Sequence, residues 1–240
     1  MAIGVSEPNY ELPSRGDSLA EQVHRQLCAA ILSGSFAPDE RITIRRLAEE
    51  LHVSATPARE AVLRLISDGV LQATERNAIV VPARTEAEIE EIFEIRRSLE
   101  GGLAAKAATL MDDSDLNFLT QTQGVFLEAL AAQDYKEVLR LNAQFHFRIY
   151  RRAGLPVHLK IVEGLWLRIG PTLRYMYPIL QADRSRRRRH EDIIERAQAH
   201  DADGLRAAIL ADLDTSEKAL HRYLGQSVVE PRRRRVVSVR

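Results

Sequence analysis

Polar side chains that could bind a metal recur at positions after residue 85 where helical periodicity requires apolar ones. Asn142 and His146, four residues apart, fall on or beside the apolar stripe of one segment and are therefore neighbours. His190 and Asp212 lie at the same spacings from apolar residues of two further segments, and Arg96 lies within the stripe of an earlier one. Five polar groups on four helices are therefore expected to point inward, where each would cost roughly 1–3 kcal/mol without a partner.

Two imidazoles, a carboxylate and an amide oxygen suit a divalent metal ion such as Zn²⁺, Ni²⁺ or Mn²⁺, with positions left open for an exogenous ligand. We predict this metal site at Asn142, His146, His190 and Asp212. Arg96 would supply the cation for a bound carboxylate effector. The alternatives are a site that binds an organic acid through hydrogen bonds alone, or hydrogen-bonded core residues, which is what a single buried histidine or asparagine more often is.

A second set of polar residues lies on two short helical segments that are joined by about three residues. Ser54 and Thr56 begin the second segment, Arg59 lies off its apolar stripe, and Arg45 lies off the stripe of the first. In a helix-turn-helix, the start of the second helix meets base edges in the major groove. Arginine suits guanine or phosphate because it donates two parallel hydrogen bonds. The alternative is that these arginines form a solvated face.

The elements that position this second set are predicted to form a winged helix-turn-helix over residues 18–83. Apolar residues at helical spacing predict three helices, the third of which ends at Asp68-Gly69. Two β-branched runs follow, Val70-Leu71 and Ile79–Val81, joined by a polar turn at Arg76-Asn77. Three helices plus a β-hairpin result, and the turn is the tip of the wing.

The remainder of the chain is predicted to be an all-α bundle, so the fold class is mainly α. Helical periodicity runs from Thr85 to about Leu224 with breaks that indicate about six helices, and residues 84–224 form the effector-binding and dimerisation domain. Residues 1–17 lack periodicity and predict a flexible arm. Residues 225–240, with a four-arginine run, predict a disordered basic tail.

Composition excludes several classes of protein. The 240 residues carry 34 Lys+Arg and 34 Asp+Glu, so global charge indicates no particular partner. The single cysteine, Cys28, excludes intramolecular disulfides and cysteine-cluster metal sites. The chain has neither the roughly 18-residue apolar run of a membrane helix nor a secretory signal, so we expect a cytoplasmic location and no membrane partner. Residues 1–83 carry a net charge of −3, so DNA binding must depend on local arginine clustering and dimerisation.

The segment RRLAEELHVSATPAREAVLRLISDGVL resembles the signature of GntR-type transcription regulators. The helical remainder resembles the FCD effector domain of the FadR-like subgroup, and the resemblance covers about residues 18–224. It implies that Arg45, Ser54, Thr56 and Arg59 contact double-stranded operator DNA, with the wing tip near Arg76-Asn77. 

Three positions depart from the patterns that the resemblance implies. Ala55 stands where the family often has arginine, and Asn77 stands where the wing often has glycine. Metal-binding FCD domains carry Asp or Asn, then His four residues later, then two further histidines. This pattern maps to Asn142, His146, His190 and Asp212, so that an aspartate replaces the last histidine.

The sequence as a whole predicts a homodimeric, ligand-responsive transcription regulator. We expect a repressor of metabolic genes that a small organic acid, bound in the metal-containing pocket, releases from a pseudo-palindromic operator. One alternative is a DNA-binding protein whose bundle only dimerises. A metal-dependent hydrolase is disfavoured because no further inward Glu or Asp is evident as a general base, so the chain is not expected to be an enzyme.

Overall fold

A computed structural model describes residues 18–75, 78–177, 179 and 185–229. The predicted arm, the wing tip at Arg76-Asn77 and residues 230–240 therefore lie outside the described residues. Nine helices occupy most of the part that is described, three before residue 83 and six after it: α1 (Leu19–Leu32), α2 (Ile44–Glu50), α3 (Ala55–Ser67), α4 (Glu86–Ala108), α5 (Asp113–Ala131), α6 (Tyr135–Arg152), α7 (Pro156–Leu173), α8 (Ser185–Gln198) and α9 (Ala202–Val229).

Side-chain caps explain where several of these helices begin. The side chains of Ser18, Thr85 and Asp112 each accept a hydrogen bond from the backbone N–H three residues on, and their own backbone N–H groups each donate one to the acidic side chain there. Such a capping box satisfies backbone N–H groups that have no partner within the helix. Thr85 fixes the start of α4 directly after the junction between the two domains.

The wing is a three-stranded antiparallel sheet in the described part of the chain, with strand order β1-β3-β2. The strands are β1 (Arg41–Ile42), β2 (Gln72–Ala73) and β3 (Ile79–Val80). The predicted hairpin is therefore correct in its second strand, but its first strand begins at Gln72 rather than Val70. Val70 and Leu71 are instead buried, and their N–H groups donate to the Leu65 carbonyl at the end of α3.

Helix α9 also differs from the prediction, because it continues to Val229 instead of ending near Leu224. Gly225 lies within this helix, and a glycine weakens a helix by only about 1 kcal/mol. Residues 225–229 of the predicted tail are therefore helical, and the remainder of that tail lies outside the described residues.

Direct packing and hydrogen bonds join the two domains. Helix α1 packs so closely on α7 that a Cβ at Gly170 would lie 3.2 Å from the Ile31 carbonyl oxygen. Arg168 of α7 donates two hydrogen bonds, of 3.1 and 2.9 Å, to the carbonyl oxygen of Asp68. Arg84 of the linker donates to the Gly69 carbonyl oxygen at 2.6 Å. Two arginines, one from the linker and one from α7, therefore bind the carboxyl end of α3.

Helix α6 packs against α4, α5 and α7, and its His146 side chain also reaches α8 and α9. Helix α4 packs against α6, α7 and α9, α5 packs against α6 and α8, and α8 packs against α9. This arrangement encloses the polar residues that the sequence places on inward faces. None of the helices that the structure describes has the combination of length and apolar character needed to cross a membrane.

Candidate metal centre and nucleic-acid interface

Three of the four predicted metal ligands meet in the buried centre of the bundle. His146 of α6, His190 of α8 and Asp212 of α9 are 2%, 1% and 4% exposed. One ligand atom from each lies within 4.8 Å of the others, and His146 Nε2 is 3.4 Å from Asp212 Oδ2. The ring of Phe145 stacks on that of His190 with centroids 4.2 Å apart. Helical periodicity alone is thus sufficient to identify residues that three separate helices bring together.

Hydrogen bonds fix which nitrogen of each imidazole carries the proton. His190 Nδ1 lies 2.7 Å from Oε1 of Gln123, an amide oxygen that only accepts, so Nδ1 donates. Tyr150 donates its hydroxyl proton to Glu100 Oε2 at 2.6 Å, which leaves its oxygen to accept from His146 Nδ1 at 3.3 Å. In its neutral form each imidazole would therefore carry its lone pair on Nε2, the atom that would bind a metal.

The residues present fit a divalent metal ion. His146 Nε2 is buried and has no hydrogen-bond partner among the described residues, although the Asp212 carboxylate is nearby. A lone pair 3.4 Å from a carboxylate oxygen is unfavourable unless a proton or a metal cation lies between them. Two imidazole nitrogens and a carboxylate are a donor set that Zn²⁺, Ni²⁺ or Mn²⁺ accepts.

Asn142 lies one helical turn before His146 and is also buried, with 4% of its surface exposed. Its burial agrees with the sequence pattern that singles it out. Its place as the fourth metal ligand stays a prediction.

Arg96 is buried as its spacing predicts, and it pairs with a carboxylate that sequence reasoning missed. Its Nε donates a hydrogen bond to Glu100 Oε1 at 2.6 Å, and its Nη2 donates a second one to Glu100 Oε2 at 3.3 Å. The guanidinium also lies 4.4 Å from the centre of a Trp166 ring. An effector carboxylate would therefore approach an arginine whose charge is already balanced, and the role of Arg96 in effector binding stays a prediction.

The expectation that no further acid points inward is wrong, because Glu100 is completely buried. It lies four residues after Arg96, on the same face of α4, so the signal was present in the sequence. Its oxygens accept hydrogen bonds from Arg96, Trp166 and Tyr150. A carboxylate bound in this way balances a buried charge rather than acting as a general base.

Gln123 and Tyr150 are two further site residues that the sequence analysis missed. Gln123 interrupts the buried stripe between Leu119 and Phe126, and Tyr150 lies one turn after His146. Burial and the neighbouring Glu100 raise the pKa of the Tyr150 phenol well above its usual value. The hydroxyl therefore stays protonated and can hold both its acceptor and the imidazole in place.

The predicted DNA contacts lie on an exposed surface at the start of α3. This helix buries its apolar side, including Ala58, Val62 and Leu65, which leaves Ser54, Thr56 and Arg59 exposed. The Ser54 side chain makes no capping hydrogen bond.

Arg45 of α2 lies on the same unit, and its side chain is 90% exposed. Its Nε lies 2.9 Å from Glu49 Oε1. The predicted wing contacts, Arg76 and Asn77, lie outside the described residues, and contact of this surface with DNA stays a prediction.

Comparisons with known proteins match both domains. The family model for bacterial regulatory proteins of the gntR family matches residues 19–81, and the model for the FCD domain matches residues 91–215. The HTH-type transcriptional regulator McbR of Escherichia coli K12 is 34% identical over 160 residues, which cover 67% of this chain and 72% of McbR. 

Two further comparisons extend over more of the chain. The solved structure of E. coli McbR/YncC superimposes with a TM-score of 0.81 at 29% identity, covering 87% of this chain and 99% of that one. The HTH-type transcriptional repressor RspR of E. coli K12 is 23% identical over 194 residues, or 80% of this chain and 85% of RspR. The order of the two domains is therefore the one that the sequence predicts.

Proposed function

Because the chain belongs to the GntR family of bacterial transcription regulators with an FCD effector domain, we propose that it releases DNA when a small organic acid binds at a divalent metal centre. DNA-binding transcription regulation follows from the family, whose members are not enzymes. The observation that carries the metal-dependent part is the buried meeting of His146, His190 and Asp212, with both imidazoles held by their Nδ1 atoms.

The proposed metal ligands are His146, His190 and Asp212, with Asn142 as the fourth. When bound, the metal supplies a Lewis acid with open positions for the carboxylate of the effector. The protein's contribution is to orient the imidazoles and exclude water, since all four side chains are buried. Arg96 would add positive charge beside the pocket, and its pairing with Glu100 would limit that charge.

A continuous series of contacts supports coupling between the metal centre and the DNA-binding unit. His146 contacts Tyr150, which donates to Glu100, and Glu100 accepts from Trp166 of α7. Two residues further along α7, Arg168 holds the end of α3 through the Asp68 carbonyl. An effector that binds more tightly to one placement of α7 would therefore shift the position of α3.

The oligomer and the direction of regulation are part of the same proposal. We infer a homodimer that binds a pseudo-palindromic operator, because dimeric helix-turn-helix proteins read half-sites about 34–36 Å apart. The contacts would come from Arg45, Ser54, Thr56, Arg59 and the wing tip at Arg76-Asn77. Repression is supported by the relative RspR, which is named as a repressor.

Metal analysis of the purified full-length protein tests the proposal, followed by a thermal-shift screen of small carboxylic acids. The wild type and a His146→Ala/His190→Ala variant are compared, with His158→Ala as a control because His158 is exposed on α7. We expect bound metal and acid-induced stabilisation in the wild type and the control, and neither in the double variant.

A wild type that binds none of Zn²⁺, Ni²⁺ and Mn²⁺, and that no acid stabilises, would contradict the proposal. A proton rather than a metal would then lie between His146 and Asp212. The bundle would be a dimerisation scaffold, which is the alternative that the sequence left open.

A further inference from the structure

A cavity of about 670 Å³ lies between the DNA-binding unit and the bundle. Its walls come from α1 and α3 on one side and from α6 and α7 on the other. Its volume is within the range of about 300–1,000 Å³ that small-molecule sites occupy. The residues that line it include none of the predicted metal ligands, so it is a separate site.

The walls combine an apolar surface with an excess of positive charge. Leu32, Phe147 and Leu165 contribute apolar side chains that are largely buried. The cationic side chains outnumber the acidic ones by two: Arg25, Arg64, Arg151, Lys160 and Arg168 against Glu21, Asp68 and Glu163. This combination is complementary to a molecule with an apolar body and one negative charge.

Positive charges from both units act on the same wall. Burial first and then the charge of Arg64 lower the pKa of His24 to about 4, and Lys160 acts in the same direction. Burial raises the pKa of Cys28 to about 12, and this thiol also experiences the charges of Lys160 and Arg64. Both wall residues are therefore uncharged at neutral pH. His24 and Cys28 of α1 therefore contribute no negative charge that would balance Arg64 of α3 and Lys160 of α7.

We propose that this cavity binds an amphipathic monocarboxylate, with its carboxylate on Arg64 and Lys160 and its hydrocarbon body against Leu32, Phe147 and Leu165. Such a ligand contacts α3 and α7 together, so its affinity depends on how the two units are placed. It would lie beside the hydrogen bonds between Arg168 and the end of α3. The cavity is therefore a second effector-binding site, and binding there does not require the metal centre.

Gly164 offers a way to fill the cavity without damaging the fold. It lies within α7 and lines the cavity, and a Cβ added there meets no heavy atom within 4 Å. Gly164→Leu places a side chain in this space, and leucine favours a helix more than glycine does, so the variant is expected to fold. Gly124 of α5 has equally open space around its Cβ and does not line the cavity. Gly124→Leu is therefore the matched control.

Isothermal titration of the full-length protein with decanoate tests the proposal. We expect the wild type and Gly124→Leu to bind decanoate with the same affinity, and His146→Ala is titrated as well to separate this cavity from the metal centre. We expect Gly164→Leu to bind at least about tenfold more weakly, because its side chain occupies the space of the ligand. Arg64→Gln/Lys160→Gln is also expected to lose about tenfold, since two charge-assisted hydrogen bonds are removed.

Three results would overturn the proposal: no binding by the wild type, full affinity in Gly164→Leu, or full affinity in Arg64→Gln/Lys160→Gln. Loss of binding in His146→Ala with full affinity in Gly164→Leu would also overturn it, because the acid would then occupy the metal centre. That result would support the metal-dependent function proposed above. If the wild type binds no metal but binds decanoate in the cavity, the metal-dependent function is contradicted and the present proposal is supported.

Discussion

The same pair of residues, an arginine followed four positions later by a glutamate, occurs on the DNA-binding unit and inside the bundle. Arg45 and Glu49 are 90% and 64% exposed, with Nε and Oε1 2.9 Å apart. Arg96 and Glu100 are 3% and 0% exposed, with the same two atoms 2.6 Å apart. The two ion pairs therefore have nearly the same local geometry, but one lies in water and the other in the interior of the bundle.

The environments decide what each pair contributes. An exposed pair on a helix is worth about 0.3–0.5 kcal/mol, because water solvates each charge almost as well as the partner does. A buried pair persists only if further hydrogen bonds replace the lost hydration. Trp166 and Tyr150 supply these bonds to Glu100 from two other helices. The exposed pair needs only its own helix, whereas the buried pair needs the assembled bundle.

The largest effect is expected from Glu100→Gln, which leaves the Arg96 cation buried without its carboxylate. Removing one partner of a buried ion pair costs about 3–5 kcal/mol in the free energy of unfolding. Urea denaturation of wild type and variant measures this cost. The matched substitution on the surface, Glu49→Gln, should change the free energy of unfolding by less than about 0.5 kcal/mol. Similar small losses in both variants would contradict the comparison.

Arg59→Ala is expected to lower the affinity for an operator selected from random DNA by about 10- to 100-fold, because an arginine–base contact is worth about 1–3 kcal/mol. The affinity of the bundle for metal and organic acid should not change, since Arg59 is exposed on a different unit. Fluorescence anisotropy measures the first quantity and calorimetry the second. Arg206→Ala, which removes an exposed arginine of α9, is the control. Loss of both activities in Arg59→Ala would contradict the separation of the two modules.

Gln123→Leu removes the acceptor of the His190 Nδ1 proton and frees the ring to rotate. Loss of a hydrogen bond that orients a metal-binding histidine typically weakens metal binding about 10- to 100-fold. Competition titration with a fluorescent zinc chelator measures the change. Gln123→Glu keeps an acceptor at the same position and should retain metal affinity. Equal affinities of the leucine variant and the wild type would contradict the assigned hydrogen-bond pattern.

His24 predicts a pH effect in the DNA-binding unit. Its pKa is lowered from 6.5 to about 4 in the folded chain, chiefly by burial and secondly by Arg64. The unfolded chain therefore binds a proton that the folded chain does not between pH 6.5 and 4. Stability from this group is complete above pH 6.5 and decreases as the pH falls, by about 1–2 kcal/mol near pH 5.

The surroundings of His24 set the control for this prediction. Arg64 and Asp68 at the end of α3, Arg25 of α1 and Lys160 of α7 act on its imidazole with charges of both signs. In His24→Gln the free energy of unfolding should decrease less between pH 7 and pH 5 than in the wild type. Identical decreases in the two proteins would mean that His24 titrates normally in the folded chain.

The site residues that could be predicted are those whose residue type alone is unexpected at an apolar position of a helix. His146, His190 and Asp212 each interrupt an apolar stripe, and that signal requires no knowledge of which helices are neighbours. Glu100 and Gln123 interrupt stripes too, but glutamate and glutamine at such positions are usually exposed. Their burial depends on partners from other helices, which the sequence does not specify.

The fold shows the same division between local and distant causes. The boundaries of α1 and α4 follow from caps such as Thr85 and Glu88, which are only three residues apart. Strand β1 has two residues, too few to show an alternating pattern, and it exists because β3 lies beside it. Features fixed by neighbours in sequence are therefore predictable, whereas those fixed by neighbours in space require the structure.

The most direct test of the central claim, that the buried metal centre couples acid binding to DNA release, is fluorescence anisotropy of the selected operator. The wild type and His146→Ala are compared, each with and without the bound metal and the acid identified by thermal shift. We predict that the acid releases the wild type only when the metal is present. His146→Ala should bind the operator normally and remain bound in the presence of both. Equal release of the two proteins by the acid, or release of the wild type without metal, would contradict the claim.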